Sequence, residues 1–372
     1  MTSSRHLEEE IDKFDPDEGP EDSRTPPASW YTWSDFHHYE RVHVFKNTWQ
    51  AVVLASEVAE PGQFVAGSFH DWPWIVVRDA SGELRAMRNM CRHRATRILE
   101  GDGCISKIRC PYHGWTYELD GTLRSAPDLG AVKGFDRESH ALQAMPITTF
   151  GPLVFVRFGE PGLSPTEVWP GLEEIMDETG WNTLNFFHRR EYEISCNWKV
   201  FVDNYLDGGY HVPHLHKGLG GQLDLDSYKT TVKEHYVVQT CEGAKSAPGP
   251  EIAKLDIRER VGNHATYVWT FSNLMINRYG PFLDINRVIP LDEGRCRIIF
   301  DYFVEDDRLD DQDFLARSLE ASHRVQLEDV AVCESVQTGL RSGDFLGGPY
   351  AIPRQGGEHR FHCALARLLR RK

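Results

Sequence analysis

The segment from residue 91 to residue 115 reads CRHRATRILEGDGCISKIRCPYHGW and carries two pairs of residues that can bind metals. The first pair is Cys91 and His93, and the second pair is Cys110 and His113. Sixteen residues lie between the first histidine and the second cysteine. Each pair therefore presents one thiolate and one imidazole from a short loop, and the two loops together supply four ligands for one metal centre.

Two kinds of metal centre use such a ligand set. A mononuclear zinc ion takes four Cys and His ligands, whereas a Rieske [2Fe–2S] cluster needs two thiolates on one iron and two neutral imidazoles on the other. Because each loop mixes one Cys with one His in β-type surroundings, the spacing C-x-H and C-x2-H favours the Rieske cluster, with zinc as the alternative. Cys104 lies between the loops but outside both pairs, so we expect it to be a small apolar residue.

The surroundings of these loops indicate a β-domain. Residues 72–77 and 84–90 flank the turn Asp79–Gly82, and this pattern predicts a hairpin. A Pro- and Gly-rich segment at residues 159–171 indicates a domain boundary. We therefore predict an all-β domain over residues 28–160, including an N-terminal lead-in.

The rest of the chain has a different composition. Residues 1–27 are charged, contain proline and are poor in apolar residues, which predicts a flexible acidic tail. Downstream, the patterns predict a helix near residues 198–210, strands across 228–305 and a long helix across 310–340. Such a mixture indicates an α+β domain at residues 161–372, with an antiparallel sheet and helices beside it.

Composition narrows the class of function. The chain has 372 residues, enough for roughly two domains of about 150 residues. Its formal net charge of −15 repels nucleic acid and anionic membranes. No apolar run is long enough to cross a bilayer, and the acidic N-terminus lacks the features of a signal peptide. Eight cysteines spread through so long a chain indicate reduced thiols, so we predict a cytoplasmic protein that binds neither nucleic acid nor membranes.

A second set of potential ligands lies in residues 197–216, NWKVFVDNYLDGGYHVPHLH. An iron–sulfur cluster only moves electrons, so an oxidising enzyme needs a second site that binds oxygen. Asp203, Asp207 and His211 recur every four residues, which predicts that they share one face of a helix. Two histidines and one carboxylate form the facial triad of non-haem Fe(II) oxygenases.

The choice of histidines is open on helical phase alone. His211, His214 and His216 all lie in this segment, and Pro213 should interrupt the helix before the last two. Phase therefore cannot decide between His214 and His216 as the second ligand.

The carboxylate is predicted from the helical pattern across residues 310–340. Residues at spacings of three and four form an inward stripe there, and Asp329 falls on this stripe. Its other members are Leu315, Leu319, Ser322, Val325, Cys333, Val336 and Leu340. An inward carboxylate is costly unless it is paired or bound to a metal. Glu328 is predicted to lie on a solvated face with Arg324 and Ser335. Asp329 is therefore the predicted iron carboxylate.

The two cluster loops, within CRHR and CPYHGWTYELDGTL, resemble the Rieske domain of the Rieske non-haem iron oxygenases. This resemblance implies an all-β Rieske domain followed by a helix-grip catalytic domain. It implies that His211 and His216, with H-x4-H spacing, bind a mononuclear iron, with His214 as the alternative. The segment LEDVAVCESVQ resembles the one that donates the iron's carboxylate, which again falls on Asp329.

The same family places an acid on the catalytic helix that hydrogen-bonds a cluster histidine of one subunit and an iron histidine of its neighbour. The common pattern is D-x2-H, whereas this chain has three residues between Asp207 and His211, with Gly208 at the usual position. Asp207 is the nearest candidate for this bridge and Asp203 the second, and the alternative is that either only orients a histidine. Asn204 resembles the family asparagine near the iron, and an ordinary polar helix residue is its alternative.

Further segments resemble the choline monooxygenase branch of this family: PPASWYT, DNYLDGGYHVPHLHKGL, INRYGPFLDINRVIPL, EDVAVCESVQTGL and FHCAL. The resemblance implies hydroxylation of choline to betaine aldehyde hydrate, with O2, a ferredoxin or flavin reductase as electron donor, and a homotrimer. The alternatives are demethylation of glycine betaine, cleavage of carnitine, dihydroxylation of an aromatic ring, or a Rieske protein that only transfers electrons.

A quaternary ammonium cannot donate a hydrogen bond, so aromatic faces and nearby negative charge hold it. A substrate that bears a carboxylate would also need an arginine or lysine in its pocket, and Arg278 is the candidate. Core packing is the alternative role for most of the aromatic candidates. The candidate aromatic residues for the cation are Tyr205, Trp269, Phe271, Tyr279 and Phe282.

Overall fold

The structure is a computed structural model, and it describes residues 4–216, 223–243, 260, 262–352 and 354–370. The chain forms two compact units. The small unit is Phe45–Val168, and the large unit combines Met1–Val44 with Trp169–Lys372. No helix among the described residues is both long and apolar enough to pass through a lipid bilayer.

The small unit is built from short antiparallel strands in three sheets, with the orders β1-β11-β10, β5-β2-β3-β4-β9 and β6-β7-β8. The predicted hairpin is confirmed, because Trp74 of β3 pairs with Arg88 of β4, and Arg78 pairs with Leu84. The strands are β1 Gln50–Leu54, β2 Gln63–Phe69, β3 Trp72–Arg78, β4 Leu84–Arg88, β5 Gly101–Cys104, β6 Ile108–Arg109, β7 Thr116–Tyr117, β8 Leu123–Ser125, β9 Ala144–Met145, β10 Ile147–Phe150 and β11 Leu153–Val156.

The large unit contains a seven-stranded antiparallel sheet with the order β12-β18-β17-β16-β15-β14-β13. This sheet confirms the prediction of an α+β domain, and its first strand begins well before residue 228. The strands are β12 Asn185–Ile194, β13 Leu223–Val232, β14 Tyr236–Gly243, β15 His264–Thr270, β16 Leu274–Tyr279, β17 Phe282–Asp292 and β18 Arg295–Val304.

Helices complete both units. The long helix α8 confirms the prediction over 310–340, and it begins where Asp311 Oδ1 accepts a hydrogen bond of 3.0 Å from the amide of Phe314. In the large unit α6 packs against α8, α9 and the strands β17 and β18. The helices are α1 Ser4–Ile11, α2 Ser29–Thr32, α3 Ser34–Glu40, α4 Pro165–Val168, α5 Leu172–Glu178, α6 Trp198–Leu206, α7 Val212–Leu215, α8 Gln312–Leu340 and α9 Gly356–Leu369.

The prediction of a flexible tail over residues 1–27 is wrong. Residues 4–11 form helix α1, and Leu7, Ile11 and Phe14 are buried, because the few apolar side chains of this acidic segment face the same way. The backbone carbonyl of Glu10 also accepts a hydrogen bond of 3.0 Å from Trp30 Nε1.

The predicted limits of the β-domain, residues 28–160, also differ from the structure. The lead-in up to Val44 belongs to the large unit. There the Glu40 carboxylate is buried and bonds both Lys199 Nζ, at 2.5 Å, and Trp198 Nε1, at 2.8 Å. At the other end, residues 161–168 stay with the small unit, where Leu163 O accepts a hydrogen bond from Trp49 Nε1.

Candidate functional site: two metal centres and a cavity

The two cluster loops of the small unit are tight turns folded over an apolar core. The first loop closes where the amide of Cys91 bonds Thr96 O and the amide of Ala95 bonds Cys91 O, each at 2.9 Å. The second loop closes where the amide of Cys110 bonds Trp115 O at 2.8 Å. Both cysteines are part of the buried cluster formed under these loops. The thiols therefore face the interior of the unit.

The two histidines lie on the outer side of the same loops. His93 Nδ1 and His113 Nδ1 lie 3.2 Å apart, and the His93 ring stacks on Trp115. Two imidazole nitrogens that converge outside two buried thiols fit a Rieske cluster, with sulfur ligands inside and nitrogen ligands towards solvent. Burial and the neighbouring Cys110 raise the pKa of the Cys91 thiol, so a bound metal ion would have to stabilise the thiolate form.

Two other side chains near these loops have separate roles. Tyr117 OH lies 3.3 Å from Cys91 Sγ and accepts a hydrogen bond from the amide of Arg92 at 3.1 Å, which fixes the start of the first loop. Cys104, predicted to be a small apolar residue, is instead exposed on β5, because all four residues of this edge strand face solvent.

A second centre lies in the large unit, where His211, His216 and Asp329 converge. The two Nε2 atoms lie 3.1 Å apart, and Asp329 Oδ1 lies 3.2 Å from His216 Nε2 and 3.9 Å from His211 Nε2. One donor atom from each residue falls in a group tight enough to hold one metal ion. His214, the alternative ligand, is exposed to solvent on the far side of α7. Two imidazoles and a carboxylate on one side of a metal ion match a facial triad.

The chain reaches this arrangement through a break in the predicted helix. α6 ends at Leu206, and Gly208 and Gly209 have φ values of 68° and 72°. A Cβ atom on Gly208 would lie 2.2 Å from the carbonyl oxygen of Arg354. The prediction that Asp203, Asp207 and His211 share one helix face is therefore wrong.

Proline has a different effect from the one predicted. Pro213 lies in the first turn of the short helix α7, where its missing amide proton is not needed. It therefore helps to start α7 rather than interrupting a longer helix. The glycine pair, not the proline, ends α6.

Each of the three converging residues is oriented by another polar side chain. His211 Nδ1 lies 2.6 Å from Asp207 Oδ2, and Asn204 Nδ2 donates to Asp329 Oδ1 at 3.0 Å. These contacts fix the imidazole and the carboxylate with their ligand atoms towards the centre. Asp207 is thus the acid next to a histidine of the triad, although the pattern D-x2-H is absent.

Glu328 corrects another prediction. The sequence predicts that it lies on a solvated face of α8, yet its Oε2 lies 2.7 Å from His216 Nδ1 and its side chain is 36% exposed. Burial alone would lower the pKa of His216, but the carboxylates of Asp329 and Glu328 raise it. The contact has a clear physical reason. His216 is buried, and its second ring nitrogen needs a hydrogen-bond acceptor.

Asp203, the second candidate for the bridging acid, points away from the triad. Its Oδ2 accepts a hydrogen bond of 2.9 Å from Tyr31 OH, and its Oδ1 lies 3.0 Å from His362 Nε2. Asp203, Glu358 and His362 form a second group of clustered potential ligands. Sequence reasoning missed Glu358 and His362, because they lie on α9, more than 150 residues beyond Asp203.

A cavity of about 180 Å³ adjoins the triad in the large unit. Of the predicted aromatic residues, Tyr205 and Tyr279 line it. The predictions for Trp269, Phe271 and Phe282 are wrong, because these side chains pack in the core against other rings, such as Phe361 and Phe314. Aromatic side chains that the sequence did not single out also line the cavity: Phe201, Tyr228, Tyr267 and Phe300.

A chain of hydrogen bonds forms one wall of this cavity. Tyr205 OH donates to Asn277 Oδ1 at 2.7 Å, and Asn277 Nδ2 donates to Asp284 Oδ2 at 2.6 Å. Tyr279 OH donates to Asp284 Oδ1 at 2.6 Å and accepts a bond of 3.0 Å from Arg260 Nη2. Burial raises the pKa of Asp284, against these hydrogen bonds and the charge of Arg260. The wall therefore holds one buried carboxylate and one guanidinium.

Arg278, the predicted carboxylate binder, does not line this cavity. Its Nη2 lies 2.6 Å from Glu305 Oε1, and its Nε donates to Thr179 O at 2.9 Å. These contacts place the guanidinium on the other side of β16. Arg260, which sequence reasoning missed, is the arginine that lines the cavity.

Comparisons with known proteins agree with this geometry. A family model for the ring hydroxylating alpha subunit (catalytic domain) matches residues 182–371. A model for the Rieske [2Fe–2S] domain matches residues 48–136. The second match covers both cluster loops and favours the iron–sulfur cluster over zinc.

Individual relatives match nearly the whole chain. Choline monooxygenase, chloroplastic, of Arabidopsis thaliana is 40% identical over 366 residues, covering 95% of this chain and 85% of the relative. The carnitine monooxygenase oxygenase subunit of Escherichia coli is 27% identical, and the match covers 94% of this chain and 95% of the relative. A crystal structure of a quaternary ammonium Rieske monooxygenase with a bound inhibitor has a TM-score of 0.84 and 26% identity, covering 94% of this chain and 96% of the other.

Proposed function

Because this chain belongs to the Rieske non-haem iron oxygenases, we propose that it hydroxylates the alcohol carbon of choline to give betaine aldehyde hydrate. The observation that carries this proposal is the 40% identity, over 95% of the chain, to a choline monooxygenase. The family membership makes the protein an oxidoreductase with a Rieske cluster and a mononuclear iron. A Rieske protein that only transfers electrons would not need the catalytic domain matched at residues 182–371.

The donor sets of both centres suit the metals of the family. Cys91 and Cys110 would hold one iron of the cluster, and His93 and His113 the other. A triad of His211, His216 and Asp329 would hold the mononuclear iron. When bound, this iron supplies O2 activation, with electrons delivered from the cluster.

The surrounding side chains prepare the triad for metal binding. Asp207 and Glu328 accept hydrogen bonds at the Nδ1 atoms of His211 and His216, so both Nε2 atoms are free to bind iron. Asn204 holds one oxygen of Asp329. The ligands are therefore oriented before the metal arrives.

The cavity walls suit a trimethylammonium group. Its aromatic lining offers the ring faces that attract a quaternary ammonium, which needs no hydrogen-bond acceptor. The buried carboxyl group of Asp284 also lines the cavity. In this binding mode Tyr205 is the central contact, because its hydroxyl is held by Val268 O and Asn277, which fixes the ring in the cavity wall.

A second substrate class is a trimethylammonium compound that also bears a carboxylate, such as glycine betaine or carnitine. The specific observation in its favour is Arg260, whose guanidinium lines the cavity and stacks 4.8 Å from the Tyr279 ring. A guanidinium binds a carboxylate strongly, whereas choline has none to offer.

The proposal extends to partners and location. We expect a homotrimer in which Asp207 links the iron histidine of one subunit to the cluster histidine of its neighbour. A ferredoxin or a flavin reductase would supply the electrons, and eight free thiols support a reducing, cytoplasm-like compartment. Light scattering should give three times the mass of one chain, and a monomer that retains full turnover would contradict the trimer.

An anaerobic single-turnover experiment tests the substrate. The iron-loaded protein is reduced chemically, mixed with O2 and either choline, glycine betaine, carnitine or an aromatic acid, and the products are identified by mass spectrometry. We expect betaine aldehyde from choline alone. Formaldehyde from glycine betaine, or cleavage of carnitine, without product from choline would overturn the proposal. His214→Ala serves as a control variant that should keep full product yield.

A further inference from the structure

A second cavity, of about 260 Å³, lies behind α6 in the large unit. Asn204 and Asp207 line both this cavity and the catalytic cavity, so the two spaces share a wall made of these side chains. Carboxylates of three residues face the second cavity: Asp203, Asp207 and Glu358. A cavity that ends at the catalytic site and is lined by acids offers a route for protons.

Glu358 has the surroundings of a protonated acid. Its side chain is 6% exposed and its Oε2 accepts a hydrogen bond of 2.7 Å from Gln355 Nε2. Burial and the nearby carboxylates of Asp203 and Asp207 raise its pKa well above the ordinary value. These surroundings favour the protonated form of Glu358, whose side chain lines the second cavity.

The groups around Glu358 form a hydrogen-bonded network with Asp203. On α6, Asp203 accepts a hydrogen bond from Tyr31 OH of α2 and lies 3.0 Å from His362 Nε2 of α9. Tyr350 OH lies 2.7 Å from the other nitrogen of this histidine. Both oxygens of Asp203 therefore have hydrogen-bonding partners other than Glu358. Among the residues that the structure describes, the remaining titratable groups that face this space are Asp207, which follows α6, and the thiol of Cys333 on α8.

Hydroxylation by the enzymes of this family consumes protons. The second cavity, which is lined by acids, offers a route for them. One C–H bond, one O2 molecule, two electrons and two protons give one C–OH group and one water. The electrons come from the iron–sulfur or flavin reductant of the proposed function, and the protons must come from solvent. We propose that Glu358 relays these protons, giving one towards the wall formed by Asn204 and Asp207 and regaining another from the second cavity. The inference holds for any substrate of the enzyme.

The variant Glu358→Gln tests this relay, because it keeps the size and the hydrogen bonding of the protonated acid but cannot release a proton. We expect kcat to fall by about a hundredfold or more, with a larger solvent isotope effect and a changed pH profile. Substrate affinity, iron content and the cluster spectrum should stay unchanged. Glu358→Asp, which keeps an acid, should recover part of the rate.

An infrared measurement on the full-length wild type and its variants needs no substrate. We expect a band of a protonated carboxylic acid at neutral pH that is lost in Glu358→Gln and kept in Val336→Ala, which changes an apolar side chain of the same cavity. The proposal fails if this band is absent in the wild type, or if Glu358→Gln has wild-type kcat and isotope effect. If the wild type does not oxidise choline, this result would instead count against the proposed substrate. The kcat values of the wild type and the variants would then be compared with the substrate that the protein does oxidise.

Discussion

The cluster loops of the small unit and the triad of the large unit differ in how the chain brings their ligands together. The cluster ligands lie within 23 residues, and each loop is closed by its own backbone hydrogen bonds. The triad combines His211 and His216 with Asp329, which comes from a helix more than 100 residues later. The orientation of the two triad histidines depends on Asp207, which follows α6, and on Glu328 of α8. A local site shows its spacing in the sequence, whereas a site built from distant segments depends on partners that spacing does not reveal.

The largest expected effect separates the two centres. Asp329→Ala should reduce product formation to background and release the mononuclear iron, because it removes one of three ligands. Iron analysis and visible spectroscopy measure the two centres independently, and the cluster spectrum should be unchanged. Cys91→Ser should do the reverse, losing the cluster spectrum while the triad still binds iron. If either variant removed both metals, the two centres would not be built independently.

The glycine break next to the triad gives the next largest effect. Gly208→Asp would restore the common pattern D-x2-H, but a side chain there meets the carbonyl of Arg354 and requires a positive φ. We expect a loss of about 3 kcal/mol or more in unfolding free energy, with loss of iron. The matched control is Gly343→Asp, with φ of 80° and open space around it, which should cost about 1 kcal/mol. Equal losses in denaturant unfolding would contradict the clash.

A smaller effect is expected at Glu328, the residue whose role the sequence did not reveal. Glu328→Gln weakens the hydrogen bond to His216 Nδ1, so iron affinity should fall by about tenfold to a hundredfold. Metal titration of the apoprotein measures this. Glu320→Gln, an exposed change on the same helix, is the control and should bind iron as the wild type does. Wild-type iron affinity in both variants would contradict a role for Glu328 in metal binding and would agree with the solvated face predicted from the sequence.

The smallest effect concerns the hairpin that the sequence did predict. Burial opposes ionisation of Asp79, but hydrogen bonds from Ser81 and Arg85 lower its pKa below 3.8 in the folded state. Asp79→Asn should cost about 1 to 2 kcal/mol of hairpin stability, measured by amide exchange in β3 and β4. Because the folded pKa is depressed, this contribution is present above pH 3.8 and is lost as the pH falls through the lower folded value. Asp120→Asn, in an exposed turn, should change protection less.

Much of the fold followed from local patterns. The hairpin turn, the long helix α8 and the antiparallel sheet were predicted because turn residues and apolar periodicity act within a few residues. The inward face predicted for α8 does not hold along the whole helix. Val336, predicted on the inward stripe, is 46% exposed, while the polar Gln337 is buried and bonds the amide of Asn197. A helix of 29 residues buries different faces against different neighbours, which periodicity alone does not capture.

The remainder of the candidate site depends on tertiary contacts. Nothing near Asp207 in the sequence indicates that the backbone of Arg354 packs against Gly208, where a Cβ atom would clash. Aromatic residues of α6 and of the sheet face either the core or the cavity, so Tyr205 and Tyr279 could not be separated from Trp269 by residue type. The network around Glu358 unites α2, α6 and α9, and no single segment carries its signal.

The buried pair of Glu40 and Lys199 also bears on how this chain is made. Lys199 follows Glu40 by 159 residues, and the sequence of the whole small unit falls within this interval. At about 5 to 20 residues per second, a ribosome needs roughly 8 to 30 s to synthesise that interval. By the end of this time the small unit has been synthesised, while the N-terminal helices still wait for the segment they pack against. The earliest part of the large unit to be synthesised is thus among the last to reach its native contacts.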